Sequence, residues 1–208
     1  MRILTLLLLC LFPAGCTSPD LGETTPEVVE PAELRLLIYN IRHGAGMDDV
    51  FDLTRSAAVI RGLNPDFVCL QEIDKGTTRT DRLDEARELG QMTGMHSAFG
   101  SFFDYEGGEY GMALLSKTPF LSTENHRLPD GTEPRTSLAG RIRLSDGQEI
   151  VICGIHFYNT EEERLAQATA LVEALKNESA PVFLAGDFNS LPNTPVMDML
   201  AEQWQIIP

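Results

Sequence analysis

Residues Leu34 to Ile41 read LRLLIYNI and residues Asp66 to Ile73 read DFVCLQEI. Each is a short, nearly continuous apolar run that reaches a polar residue near its end, Asn40 in the first and Glu72 in the second. That texture is expected of a strand buried on both faces. Between them Asp52 precedes Leu53, Ala57, Ile60 and Leu63 at helical spacing, and Asn64-Pro65 stops the run, so Asp52 reads as an N-cap and the segment as a helix. Strand, helix, strand in this order requires parallel pairing through a crossover connection.

Moving outward, Asp81 to Gly94 places Leu83, Ala86, Leu89 and Met92 on one side of a second helix. The chain then turns strand-rich. Ser97 to Phe103, Tyr110 to Ser116 and Phe120 to Arg127 are separated by Glu106-Gly107-Gly108 and Lys117-Thr118-Pro119. Thr136 to Leu144 and Glu149 to Phe157 flank an Asp-Gly pair at 146–147, which predicts a hairpin. Thr160 caps a helix whose first turn carries Glu161, Glu162 and Glu163, favoured there by the helix dipole. Pro181 to Gly186 is a further buried strand and Asn193 to Ala201 a last helix. With no internal repeat, the pattern is α/β: two mixed β-sheets with helices outside.

The 208 residues suit one domain with a sizeable core. Residues 1–16 read as a targeting segment: Arg2 is a short positive region, Ile3 to Phe12 an apolar stretch too short to span a bilayer, and Pro13-Ala14-Gly15 puts small residues before Cys16. The arrangement resembles a bacterial lipoprotein signal, which implies lipidation of Cys16; ordinary signal-peptide cleavage is the alternative, and both export the protein. Residues 17–33, TSPDLGETTPEVVEPAE, read as an extended acidic tether, leaving 34–208 as the folded domain. The expected setting is the bacterial cell envelope, the outer membrane included, with the membrane reached through the lipid.

Sixteen Lys plus Arg against 31 Asp plus Glu give a formal charge of -15. Such a field repels polyanions, so a small phosphoester or a lipid head group suits the chain better than nucleic acid, and a monomer is expected. Cys69 and Cys153 lie in apolar runs and read as buried free thiols, with a disulfide between adjacent strands as the alternative in an oxidising compartment.

Asn40, Glu72, His156, Asp187 and Asn189 interrupt the pattern where apolar runs end, and strand ends are where sites form in sheets covered by helices. The hard oxygen atoms of the Asn, Glu and Asp side chains among them match magnesium (Mg2+), manganese or calcium rather than zinc. A hard cation with few protein ligands keeps open positions for water and phosphate oxygens. His156 can meet phosphate charge and Asp187 can take a proton from water. If the last strand persists, Asn189 lies on the same side as Asp187 and orients it. The chain lacks a dinucleotide fingerprint, a P-loop lysine and a nucleophile elbow.

Several segments together resemble the endonuclease/exonuclease/phosphatase superfamily, the deoxyribonuclease I-like fold. They are Leu37-Ile38-Tyr39-Asn40-Ile41-Arg42-His43-Gly44, Asn64-Pro65-Asp66 leading to Leu70-Gln71-Glu72, Tyr110 to Ser116, His156 followed by Arg164 and Gln167, and Gly186-Asp187-Phe188-Asn189. The resemblance implies a four-layer α/β sandwich and hydrolysis of phosphomonoesters or phosphodiesters with a divalent cation. It assigns Glu72 as the metal carboxylate, Asn40 to metal or phosphate, His156 to the scissile phosphate, and Asp187 and Asn189 to the nucleophile or leaving group. Tyr110 and Arg79 are expected to line the substrate pocket. Met112 stands where the motif commonly has asparagine, so one phosphate contact is expected to be missing. The family closes with a Ser-Asp-His segment that this sequence lacks, and His43, His96 and His126 lack the context to replace it. The expectation is a truncated chain without its C-terminal strands. The alternative is an inactive surface binding protein that keeps the fold.

Overall fold

The carboxylate of Asp52 accepts the backbone N–H of Thr54 at 2.9 Å and starts α1 (Leu53–Leu63), which Asn64 ends in a left-handed conformation. In the computed structural model, which describes residues 34–207, this helix links β1 (Leu36–Asn40) to β2 (Phe67–Lys75), paired in parallel from Leu36 opposite Phe67 to Asn40 opposite Gln71. The signal segment, Cys16 and the 17–33 tether lie outside the described residues. No helix among the described residues is long and apolar enough to cross a membrane.

The chain continues through α2 (Glu85–Thr93), β3 (His96–Tyr105), β4 (Gly108–Ser116), β5 (Ser122–Arg127), β6 (Thr136–Arg143), β7 (Glu149–His156), α3 (Glu161–Leu175), β8 (Val182–Asp187) and α4 (Pro195–Ala201). The strands form two sheets, ordered β1-β2-β4-β3 and β5-β6-β7-β8. Each is mixed: β1/β2 and β7/β8 are parallel and the remaining pairs antiparallel.

Side-chain alternation along the strands builds four layers. Val68, Leu70, Ala113 and Leu115 face α1 and α2, packing on Ala57, Ile60, Ala86 and Leu89. Their neighbours Phe67, Cys69, Met112 and Leu114 point the other way and meet Leu138, Ile142, Ile150 and Ile152 of the second sheet. Val151, Cys153 and Ile155 then face Ala168 and Leu171 of α3 and Val196 and Leu200 of α4. The order is therefore helices, sheet, sheet, helices, as expected. Met112 lies wholly inside the inter-sheet core.

Most element boundaries move by one or two residues from the sequence expectation, and two of the differences have a clear physical cause. The second helix begins at Glu85 rather than Asp81, because Asp81 and Arg82 are left-handed and the cap is Asp84, which accepts the backbone N–H of Arg87. The β3–β4 hairpin needs only Glu106 and Gly107, both at positive φ; that geometry matches the twist of the flanking strands. Cys69 and Cys153 are buried and unpaired, and burial pushes the Cys153 thiol up to about 11.

Candidate active site at the strand ends

The parallel register sets Asn40 beside Gln71, and the next residue of β2 leaves the pleat. The pairing of β2 with β4 shifts between Gln71 and Ile73, and Glu72 between them takes a left-handed φ of 59°. A bulge of this kind re-aims a side chain: Gln71 and Ile73 both stay fully buried while Glu72 is turned out. Asn40 Nδ2 donates to Glu72 Oε1 at 2.7 Å, and Asn40 Oδ1 accepts the Arg42 backbone N–H at 3.0 Å. Both ends of the Asn40 amide are thus engaged, and its visible work is to aim the Glu72 carboxylate.

The second sheet supplies the other half. Its parallel β7/β8 pair puts His156 opposite Asp187, with His156 Nε2 3.8 Å from Asp187 Oδ2. The strand ends there, so Asn189 does not continue on the face of Asp187. Instead Asn189 is left-handed, its backbone N–H donates to Asp187 Oδ1 at 2.9 Å, and its side-chain Nδ2 donates to the Phe157 carbonyl at 2.7 Å. Asn189 does orient Asp187, through main chain rather than side chain. His156 is buried, and its Nδ1 has no hydrogen-bond partner among the described residues. Burial first, then the Arg135 charge, hold its pKa below the ordinary histidine value; the carboxylates of Asp187, Glu72 and Glu133 pull the other way. Glu72 of one sheet and Asp187 of the other therefore act on the same imidazole. A cleft of about 540 Å³ runs past Asn40, Gln71, Asp187 and Asn189.

Arg79 and Tyr110 are also brought to this region. Arg79 makes a two-point contact with the fully buried Asp74, Nε to Oδ2 at 2.6 Å and Nη2 to Oδ1 at 2.8 Å. Its guanidinium lies 4.6 Å from the Tyr105 ring centroid and 5.6 Å from that of Tyr110. Burial pushes the Tyr110 phenol up, and its ring meets Phe102 edge-on at 5.8 Å.

Sequence reasoning missed Arg135. It is 6% exposed, lies 4.9 Å from the Phe102 ring and 5.7 Å from the Tyr158 ring, and pairs with Glu133 at 2.7 Å. Its Nε has no partner among the described residues. A buried guanidinium with an unused N–H next to a neutral histidine is suited to an anion. One arginine after a proline in a loop carries no periodic signal, so nothing in the sequence singles it out.

Asp74 and Glu85 were missed as well. Glu85 Oε2 accepts the Asp74 backbone N–H at 2.8 Å, and burial pushes its carboxyl up to about 8. A folded-state pKa above the unfolded value means the folded protein holds a proton that the unfolded chain releases. Stability is then full below the unfolded pKa near 4.5 and is lost as pH rises through about 8. Thermal melts of the wild type are expected to fall across that window, and Glu85→Gln to flatten the fall; an equally steep fall in the variant would show that another group titrates.

Among the described residues no three His, Cys, Asp or Glu side chains converge as a metal cage. The donors present, the turned-out Glu72 carboxylate with Asn40 holding one of its oxygens, fit a hard cation that keeps most of its shell for water and substrate oxygens. They do not fit a closed zinc site, which requires four protein ligands of nitrogen and sulfur.

Residues 37–203 match the family model described as Endonuclease/Exonuclease/phosphatase family. The chain belongs to this family. Its members are hydrolases acting on phosphoester bonds. A UPF0294 protein of Vibrio cholerae is 43% identical over 61 residues, a stretch that covers 27% of this chain and 21% of that protein. The family structure from Beutenbergia cavernae superposes with a TM-score of 0.66 at 23% identity, over 81% of this chain and 53% of that one. The human Nocturnin catalytic domain with bound sulfate anion gives 0.63 at 20% identity, over 82% and 70%. The match thus spans about a fifth of the curated relative and about half of the first of these structures.

Proposed function

We propose that this family member hydrolyses phosphate esters, as a phosphodiesterase or phosphatase, with a divalent hard cation, magnesium first and manganese or calcium as substitutes. The observation that carries the reading is the convergence of the bulge-borne Glu72, aimed by Asn40, with His156 and Asp187 from the opposite sheet.

Glu72 would hold the cation, which when bound supplies positive charge to the phosphate oxygens. The remaining work falls to the chain itself. Asp187, fixed through Oδ1 by Asn189, has Oδ2 free to accept a proton from a water approaching phosphorus. His156, held neutral by burial, can donate one ring N–H to a phosphate oxygen. Arg135 offers its unused Nε–H to the same charge, and the aromatic faces of Phe102 and Tyr158 exclude water around it. The sulfate on human Nocturnin supports a site for a tetrahedral anion in this fold.

Steady turnover of a panel of phosphomonoesters and phosphodiesters with magnesium is expected, and chelation should stop it. A full-length protein that releases no product from any of them would leave the inactive binding protein as the better reading.

We further propose an exported, monomeric lipoprotein of the cell envelope, anchored through Cys16 and reached by small phosphoesters or lipid head groups. Arg2, the Ile3 to Phe12 stretch and the small residues before Cys16 support this. Cys16→Ser is expected to move the protein from the membrane fraction to the soluble one; a variant that stays with the membrane would refute lipid anchoring.

A further inference from the structure

Arg135 closes the connection 128–135 between β5 and β6, at whose base the Leu128 backbone N–H donates to the Arg135 carbonyl at 3.1 Å. The ion pair within this loop, Arg127 with Asp130, has side chains 71% and 62% exposed and holds little. The firmer hold comes from α3. Glu163 Oε1 accepts the Thr132 backbone N–H at 2.6 Å, while Glu163 Oε2 accepts the Thr160 hydroxyl at 2.9 Å. Gly131 lets the loop come this close, since an added Cβ would run into the same carboxylate. The Thr132 N–H holds the Glu163 carboxyl below its ordinary range, so it stays ionised and accepts only. The residue after Thr132 is Glu133, whose Oε1 engages Arg135 Nη1 at 2.7 Å and leaves the Nε–H unused.

One turn further along the same helix face, Gln167 is fully buried and its Oε1 accepts the Tyr158 backbone N–H at 3.0 Å. Arg164, between the two, donates from Nη1 to the Asn159 carbonyl. The turn after β7 is thereby fixed on α3, and with it the Tyr158 ring that lies 5.7 Å from the Arg135 guanidinium. Two segments meet at Arg135, one bearing it and one walling it. Both are bonded through main chain to the first turns of a single helix. An arginine held before the anion arrives has no rotamer freedom left to lose on binding it.

We propose that Glu163 and Gln167, neither of which lines the cleft, are positioning residues that hold Arg135 with its Nε–H ready for the phosphate of the substrate. This rests on the hydrolase reading above and adds two residues to its machinery. The test is a double-mutant cycle on the full chain with magnesium, read on p-nitrophenyl phosphate and bis(p-nitrophenyl) phosphate. Glu163→Ala and Gln167→Met are each expected to lower kcat/KM about tenfold. Glu163→Gln, whose amide oxygen can still accept the Thr132 N–H, should stay within about threefold of wild type. Added to Arg135→Ala, the same two substitutions should cost less than about twofold more, because the group they position is gone. A purely structural role gives the same loss in both backgrounds, and that result, or full activity in Glu163→Ala, overturns the proposal. Glu163 lies outside the core, so it decides the matter if Gln167→Met does not fold. If the wild type cleaves neither ester, the hydrolase reading falls by itself. Calorimetric titration with inorganic phosphate then judges the positioning. Binding about tenfold weaker in Glu163→Ala, with no such loss once Arg135→Ala is present, supports it; equal affinity, or no binding by the wild type, overturns it.

Discussion

Replacing Glu72 by glutamine is expected to lower kcat/KM for any cleaved phosphoester about a thousandfold, equivalent to about 4 kcal/mol of lost transition-state stabilisation. The reason is local. Glu72 is turned out of β2 by the bulge, so its carboxylate contributes to no core, and a glutamine can still accept the Asn40 hydrogen bond through its amide oxygen. The shape survives while the negative charge is lost. Melting temperature should therefore move by no more than a few degrees, and calorimetric affinity for magnesium or manganese should collapse. A variant that retains turnover would remove Glu72 from the metal site and with it the central part of the proposed mechanism.

The second large effect is on stability. Gly186 has φ of 146°, and a Cβ built there would stand 2.0 Å from the Ile155 carbonyl oxygen, its neighbour across the β7–β8 ladder. Neither group can give way without opening the parallel pair. Gly186→Ala is expected to destabilise the fold by about 3 kcal/mol or more, in the range of overpacking added to backbone strain. The folded fraction should also lose activity, because the same ladder sets His156 against Asp187 one residue later. Urea denaturation measures the first effect and specific activity at constant folded fraction the second. An unfolding midpoint equal to wild type would refute the close approach.

The β1–α1–β2 unit was legible because its signals are local and agree. The apolar runs are uninterrupted, Asp52 has the cap position to itself, and Asn64-Pro65 can only end a helix. Glu72 and Asp187 stood out because carboxylates at the ends of buried runs need a reason to be there. The bulge did not show. Gln71-Glu72 continues the strand's texture, and only the pairing with β4 reveals that two residues occupy the space of one. Asn189 was placed on the wrong footing because its role depends on where the strand stops. Arg135 gains its meaning from rings distant in sequence.

The two sheets touch through side chains of the inner core rather than through a shared strand ladder. Glu72 belongs to one sheet and His156 with Asp187 to the other. On the proposed function, the gap a phosphate would fill is therefore gauged by the bulk of Cys69, Met112, Leu114, Leu138 and Ile152, as shims set the opening of a vice. A methylene gained or lost deep in that layer can retune the jaws for a larger or smaller ester without altering any residue the substrate meets.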